Sequence, residues 1–225
     1  MAKCINLNRT TVIILIIFFS LVSVFGQTRK DNLIVFVGKK IEVNYVERPS
    51  SVRDTIIENN DTIIRVRTSM DSEYLAKYKI LQLVHGSYES DTIEFTVFDH
   101  YGKPAFSKYQ TVLLFVSEHN GKLYHEKYQY FDLYMTKNGK WASPYSSRDY
   151  NHSYKESITV QPEKIPFTEE VFYSVEKMSK DGIKKSFPQP YYKIKKKRAI
   201  AVYGNYVEDL FRLKQQTILK ARGIY

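Results

Sequence analysis

Five histidines stand in a chain that has one cysteine: His85, His100, His119, His125 and His152, with Cys4 near the start. Imidazole is the side chain best suited to hold zinc or to move protons near neutral pH. His119 and His125 flank an Asn-Gly pair, Asn120-Gly121, with Glu118 and Glu126 beside them. A hairpin there would bring the two imidazoles near the Asp99–His100 loop, which makes His100, His119 and His125 the candidate metal ligands. No HExxH or comparable ligand spacing supports the set, and solvated turn histidines are the ordinary alternative. Asp91/Glu94 and Asp99/Glu118 have the composition of acid and base pairs, but such pairs occur in any chain. There is no GxSxG elbow, phosphate loop or dinucleotide fingerprint. The expectation is therefore a protein that is not an enzyme and needs no cofactor. A metal-dependent or hydrolytic enzyme built on the Asp99–His100 loop and the His119–His125 hairpin stays open as the alternative.

Two further groups suit binding. Tyr124, Lys127, Tyr128 and Tyr130 interleave rings with a cation, a pattern that can stack on sugars or bases; tyrosine filling half-buried strand positions is the competing account. Lys193, Lys195, Lys196, Lys197 and Arg198 form the densest basic run. Residues 177–225 hold 13 Lys/Arg against 3 Asp/Glu, a net +10, whereas residues 27–176 carry a net −2. The basicity thus belongs to the C-terminal part. It points to an anionic envelope component or an acidic protein as partner, with a merely solvated basic segment as the alternative. Nucleic acid is not the expected partner.

The elements that must position these groups read mainly as strands. Glu73–Phe98 is the clearest stretch: Ala76, Tyr78, Ile80 and Gln82 alternate with Lys77, Lys79, Leu81 and Leu83, the latter face passing from wet to buried. Gly86 interrupts, and Ile93, Phe95 and Val97 then alternate with Thr92, Glu94, Thr96 and Phe98. Leu33–Val46 predicts a long first strand, bent at Gly38. Glu47–Asp61 reads as a polar excursion with a short strand at 55–57, closed by Asn59-Asn60-Asp61. Thr62–Thr68 reads as a second ladder strand, and the stretch 99–106 as a loop. Gln110–Ser117 predicts a strand buried on both faces, followed by a type I′ turn at Asn120-Gly121. Leu123–Met135 predicts a broken, tyrosine-rich strand, with a second Asn-Gly turn at 138–139 and Trp141 packing over one mouth. The stretch 143–157 reads as loop. Thr168–Lys180 predicts a helix with Val171, Phe172, Val175 and Met178 on one face, and 183–198 an extended arm. Asn205–Arg222 predicts a second helix, capped by Asn205 and Glu208, with Val207, Leu210, Phe211, Lys214, Ile218 and Ala221 as a docking stripe.

The first residues differ in kind. Lys3 and Arg9 precede an apolar run, Val12–Phe25, which is shorter than the roughly 20 residues of a membrane span. This predicts a signal peptide over residues 1–26, removed near Gly26–Gln27, with an uncleaved anchor as the other reading. The mature chain would then be secreted or periplasmic, with no transmembrane span. It would also lack cysteine, which removes disulfides and thiol chemistry.

The order Val35-Phe36-Val37-Gly38-Lys39, then Tyr78–Leu83 with His85-Gly86, then Asp91-Thr92-Ile93, then Val112–Val116 resembles the netrin-like, tissue-inhibitor-of-metalloproteinase type of oligosaccharide/oligonucleotide-binding barrel, over residues 33–135. That resemblance implies a small antiparallel OB-like β barrel over residues 27–142. Inhibitors of that family bind zinc through an N-terminal cysteine and carry several disulfides, so protease inhibition is not carried to any residue here. With a basic C-terminal extension of two helices over residues 143–225, the fold class expected is mainly β with C-terminal helices (α+β). The expected function is an exported, non-enzymatic binding or envelope-associated module of unknown ligand. A structural subunit docked through the second helix is not separated from it.

Overall fold

The computed structural model describes residues 32–47, 51–58 and 61–225. The run Val12–Phe25, Cys4, the Gly26–Gln27 junction, Pro49 and the Asn59–Asn60 turn lie outside the described residues. The described chain is mainly β with a few short helices.

Five strands carry the main sheet: β1 (Leu33–Val46), β4 (Ser72–His85), β5 (Thr92–Asp99), β6 (Thr111–His119) and β7 (Lys122–Asp132), with β2 (Ser51–Glu58) and β3 (Asp61–Thr68) inserted between β1 and β4. The pairing order is cyclic, β1-β4-β5-β7-β6 and back to β1. All joints are antiparallel except β5–β7, which meet in parallel at Thr96 and Tyr124. Alternation builds the core directly. Ile34, Phe36, Ala76, Tyr78, Ile93, Phe95, Val97, Val112, Leu114 and Val116 turn into the ring. Leu33, Val35, Val37, Leu113 and Phe115 turn outward against a helix α3 (Val207–Gln216), through Val207, Leu210, Phe211 and Leu213. Two covered faces explain why β1 and β6 read as unbroken apolar runs. Gly38 sits at a register shift in β1. A Cβ there would lie 2.8 Å from a ring carbon of Phe36 and 3.0 Å from one of Tyr78, so the inner glycine makes room for two core rings. Asn120 and Gly121 both have positive φ, 52° and 73°, as a type I′ turn requires.

Past the ring, β8 (Tyr134–Met135), β9 (Trp141–Pro144), β10 (Glu163–Lys164) and β14 (Tyr203–Tyr206) form a sheet in the order β10-β14-β9-β8. A second sheet, β11-β13-β12, consists of β11 (Phe172–Ser174), β12 (Tyr192–Lys195) and β13 (Arg198–Ala201). Short helices α1 (Ser147–Tyr150), α2 (Lys180–Ser186) and α4 (Ile218–Ala221) complete the chain. Among the described residues, no helix is long and apolar enough to cross a membrane.

Several expectations change. Among the described residues, Thr62–Thr68 falls within β3, which pairs with β2 in a separate two-stranded ribbon and not with the ring. Leu81 and Leu83 remain 41% and 39% exposed, because the apolar stripe of α3 is taken up chiefly by β1 and β6. The helix expected over Thr168–Lys180 is replaced by β11. Val171 and Val175 are both buried, but on an extended segment bonded to β13. Valine and aromatic residues suit a pleated surface, and pairing overrides a helical spacing of only two turns. The lysine arm is instead the β12–β13 hairpin, and residues 180–186 ahead of it are helical, capped by the Ser179 hydroxyl. Asn205 does not cap α3: it lies in β14, where its amide donates to the Gln161 carbonyl (3.0 Å) and its side-chain oxygen accepts from the Tyr150 hydroxyl (3.0 Å). The docking stripe is present from Val207 to Lys214, the last fully buried, but the expected single helix breaks at Thr217 into α3 and α4, and Ala221 is exposed.

Candidate functional site

The groups most able to do chemistry converge where β7 leaves the ring. Asp132 is the last residue of β7. Its Oδ2 accepts hydrogen bonds from the hydroxyls of Tyr173 (2.6 Å) and Tyr134 (2.9 Å). Burial pushes the Asp132 carboxyl above its usual value, and the two phenol donors work against that rise. The same burial, reinforced by the negative Asp132, pushes the Tyr173 phenol far up. Tyr109 is pushed up to about 12 by burial and then by Asp132 and Tyr130. Both tyrosine hydroxyls donate to one oxygen, Oδ2, and the backbone amide of Asp132 also supports the charged carboxylate.

Asp132 lines a cleft of ≈ 330 Å³ with Tyr130, Tyr145, Tyr173, Tyr192 and Phe187, four serines (Ser143, Ser146, Ser147, Ser186), Arg148 and Asp149. Four separate segments supply these groups: the end of β7, the β9–α1 corner, β11, and the α2–β12 region. The ring faces are largely occupied by one another. Tyr145 is sandwiched between Tyr191 (3.8 Å between centroids, 12°) and Tyr150 (5.0 Å, 18°), and Tyr173 stacks on Phe187 (5.5 Å, 24°). The cleft therefore presents ring edges, hydroxyls and carboxylates. It suits hydrogen-bonding recognition more than stacking.

The floor is braced by a buried ion pair. Lys214 of α3 donates to Asp149 Oδ1 (2.5 Å) and Gln129 Oε1 (3.0 Å), and its ammonium sits 4.6 Å from the centre of the Phe131 ring. Burial raises the Asp149 carboxyl, and the Lys214 ammonium with the Ser146 hydroxyl more than reverses this, leaving it below its ordinary value. Gln129 lies at a register irregularity between β6 and β7. The C-terminal residues hold the same bulge: Arg222 donates to Glu126 Oε2 and to the Lys127 carbonyl, both at 2.7 Å.

Of the residues singled out from the sequence, Tyr130 alone lines this cleft. Tyr124 stacks on Phe98 (6.2 Å, 17°), and Lys127 is held by Asp71 (2.6 Å). Tyr128 adopts φ 67° within the bulge. They do not form one platform. The candidate metal ligands are not brought together either. His125 is buried against Phe106 (4.7 Å) and its Nε2 lies 2.8 Å from the Gln129 carbonyl, as a neutral imidazole donor would; burial depresses it to about 4. His100 Nδ1 lies 3.2 Å from the Met70 carbonyl, and the exposed His119 packs against Tyr124. Among the described residues, no three His, Cys, Asp or Glu side chains gather to hold a metal ion. Asp99 accepts from the Tyr101 amide (2.8 Å) in a turn.

Lys193, Lys195, Lys196, Lys197 and Arg198 are all exposed, on β12–β13 and its turn. Lys197 pairs with Glu176 (2.6 Å), and Arg198 covers the Phe172 ring (4.1 Å) near Glu170. The cleft itself escaped the sequence reading. Its signal was the density of aromatic residues, Tyr145, Tyr150, Phe187, Tyr191 and Tyr192, in stretches too rich in rings for solvated loop.

No protein-family model, curated protein or solved structure matches the chain.

Proposed function

We propose that this is an exported, non-enzymatic binding module whose ligand is a polyhydroxylated envelope component, a glycan, taken into the Asp132 cleft. In this reading residues 1–26 are a leader removed near Gly26–Gln27, and the five-stranded ring is an OB-like barrel of the netrin-like type. The basic β12–β13 hairpin then rests against an anionic envelope surface beside the cleft. The observation that carries the reading is the seat of Asp132: one desolvated carboxylate lining a cleft together with tyrosine and serine hydroxyls. Paired sugar hydroxyls are the complement of such a lining, since a carboxylate accepts and serine both donates and accepts.

Titration calorimetry with neutral oligosaccharides tests it. Asp132→Asn is expected to weaken binding by about tenfold or more, the cost of losing a charge-assisted hydrogen bond. Neutralising Lys193, Lys195 and Lys196 is expected to leave that affinity alone and to remove salt-sensitive binding to anionic vesicles. Oligosaccharide binding that survives Asp132→Asn unchanged, or no oligosaccharide binding at all, overturns the assignment.

A further inference from the structure

Among the described residues that line the Asp132 cleft, Arg148 is the one cation. It lies on α1, its side chain is exposed, and among the described residues its guanidinium makes no hydrogen bond or ion pair. An arginine beside two aspartates ordinarily bridges them. Here both aspartates are already committed. Asp149 is held by the buried Lys214 and by the Ser146 hydroxyl (2.5 Å), and Asp132 takes the phenols of Tyr173 and Tyr134. The Arg148 charge nonetheless acts on the lining: burial and Asp132 push the Tyr130 phenol up, and Arg148 opposes them. Its backbone is fixed, because the Ser147 hydroxyl donates to the Lys185 carbonyl (3.0 Å) and ties α1 to α2. Two hydroxyls of the same lining, those of Ser143 and Ser186, also make no side-chain hydrogen bond among the described residues.

We infer that the glycan taken by this cleft is acidic, a sugar of the uronic-acid class whose single carboxylate is received by Arg148. This rests on the glycan reading above and narrows it. The planar guanidinium fork matches a carboxylate with two parallel hydrogen bonds, and the Ser143 and Ser186 hydroxyls are donors of the kind that serve its remaining lone pairs. A neutral sugar seated in the cleft takes water from the guanidinium and returns only hydroxyl acceptors, which are the weaker partners. Charge count selects the carboxylate over a phosphate. One cation balances one negative charge, whereas a phosphate monoester is nearly doubly charged and leaves an excess to face Asp132. Asp132 also sets the orientation, because it repels the ligand carboxylate and accepts from the ligand hydroxyls.

Titration calorimetry on the full chain at low salt tests this. It compares neutral oligosaccharides with the same oligosaccharides oxidised at their primary alcohols to uronic acids. The wild type is expected to bind the acid about tenfold more tightly than its neutral parent. Arg148→Gln is expected to bring that ratio to about one. Arg148→Lys, which keeps the charge without the fork, is expected to give an intermediate ratio. Circular dichroism confirms that both variants are folded. An acid bound no more tightly than its parent overturns the inference while the glycan reading stands. So does a preference that survives Arg148→Gln, or one lost only when Lys193, Lys195 and Lys196 are neutralised, which puts the carboxylate on the hairpin instead. Binding of neither form overturns the glycan reading and this inference with it.

Discussion

Two hairpins of this molecule are made alike and used differently. The β12–β13 hairpin turns through Lys196 and Lys197, both at positive φ (47° and 61°), and its outer strand β12 carries Lys193 and Lys195. Its inner side is core: Tyr192, Ala199 and Ala201 are buried with Tyr145, Val171 and Val175. The β2–β3 hairpin is longer, and among its described side chains Ile57, Ile63, Ile64 and Val66 are exposed and none joins a buried cluster. One hairpin is a load of the fold with a guarded edge. The other is a two-stranded ribbon outside the main sheet, with aliphatic side chains exposed. Lysines at β12 thus have a role independent of any ligand, since charge on an edge strand discourages strand addition.

The largest test of this contrast is packing. Tyr192→Ala is expected to cost about 3–5 kcal/mol of unfolding free energy, because it empties a buried aromatic site and removes the bond from the Tyr192 hydroxyl to the Tyr145 carbonyl (2.6 Å). Replacing residues 51–68 with a short Gly/Ser linker is expected to leave urea unfolding of the remainder nearly unchanged. A ribbon deletion as damaging as Tyr192→Ala would erase the distinction.

Acid sharpens it next. His125 has its folded pKa lowered to about 4, against an ordinary 6.5. The unfolded chain binds the extra proton between those values, so the His125 contribution is fully present above about pH 6.5 and is lost as pH falls toward 4. The loss is on the order of 3 kcal/mol. Denaturant midpoints should fall over that window in the wild type and fall less in His125→Phe.

Edge chemistry comes third. Lys193→Ile with Lys195→Ile should convert β12 into a sticky edge, seen as association in light scattering. The smallest effect concerns a core hydroxyl. Tyr78 lies fully buried in the ring with its hydroxyl unpartnered, and Tyr78→Phe should raise stability by about 1 kcal/mol. A fall would mean the hydroxyl has a partner in solution.

The contrast also shows what the sequence made legible. Strands buried on two faces wrote themselves as apolar runs, so β1 and β6 could be read directly, and Asn120-Gly121 marked its turn. The helix stripe was equally plain, down to Lys214. What stayed hidden was pairing between distant segments. Val171 and Val175 satisfy a helix face and an extended one alike, and only β13, some 25 residues on, decides between them. A turn made by two lysines carries no glycine or asparagine signal. The cleft was illegible for the same reason at larger scale: Asp132, Arg148, Tyr173 and Tyr192 belong to four local contexts, and none of them is a motif.

The outer face of β1 is covered by α3, which the chain supplies about 170 residues later. A nascent chain leaving the ribosome therefore shows Leu33, Val35 and Val37 until residues 207–216 have been made. Contacts so distant in sequence close slowly, and the early strands spend synthesis as bait for holdase chaperones.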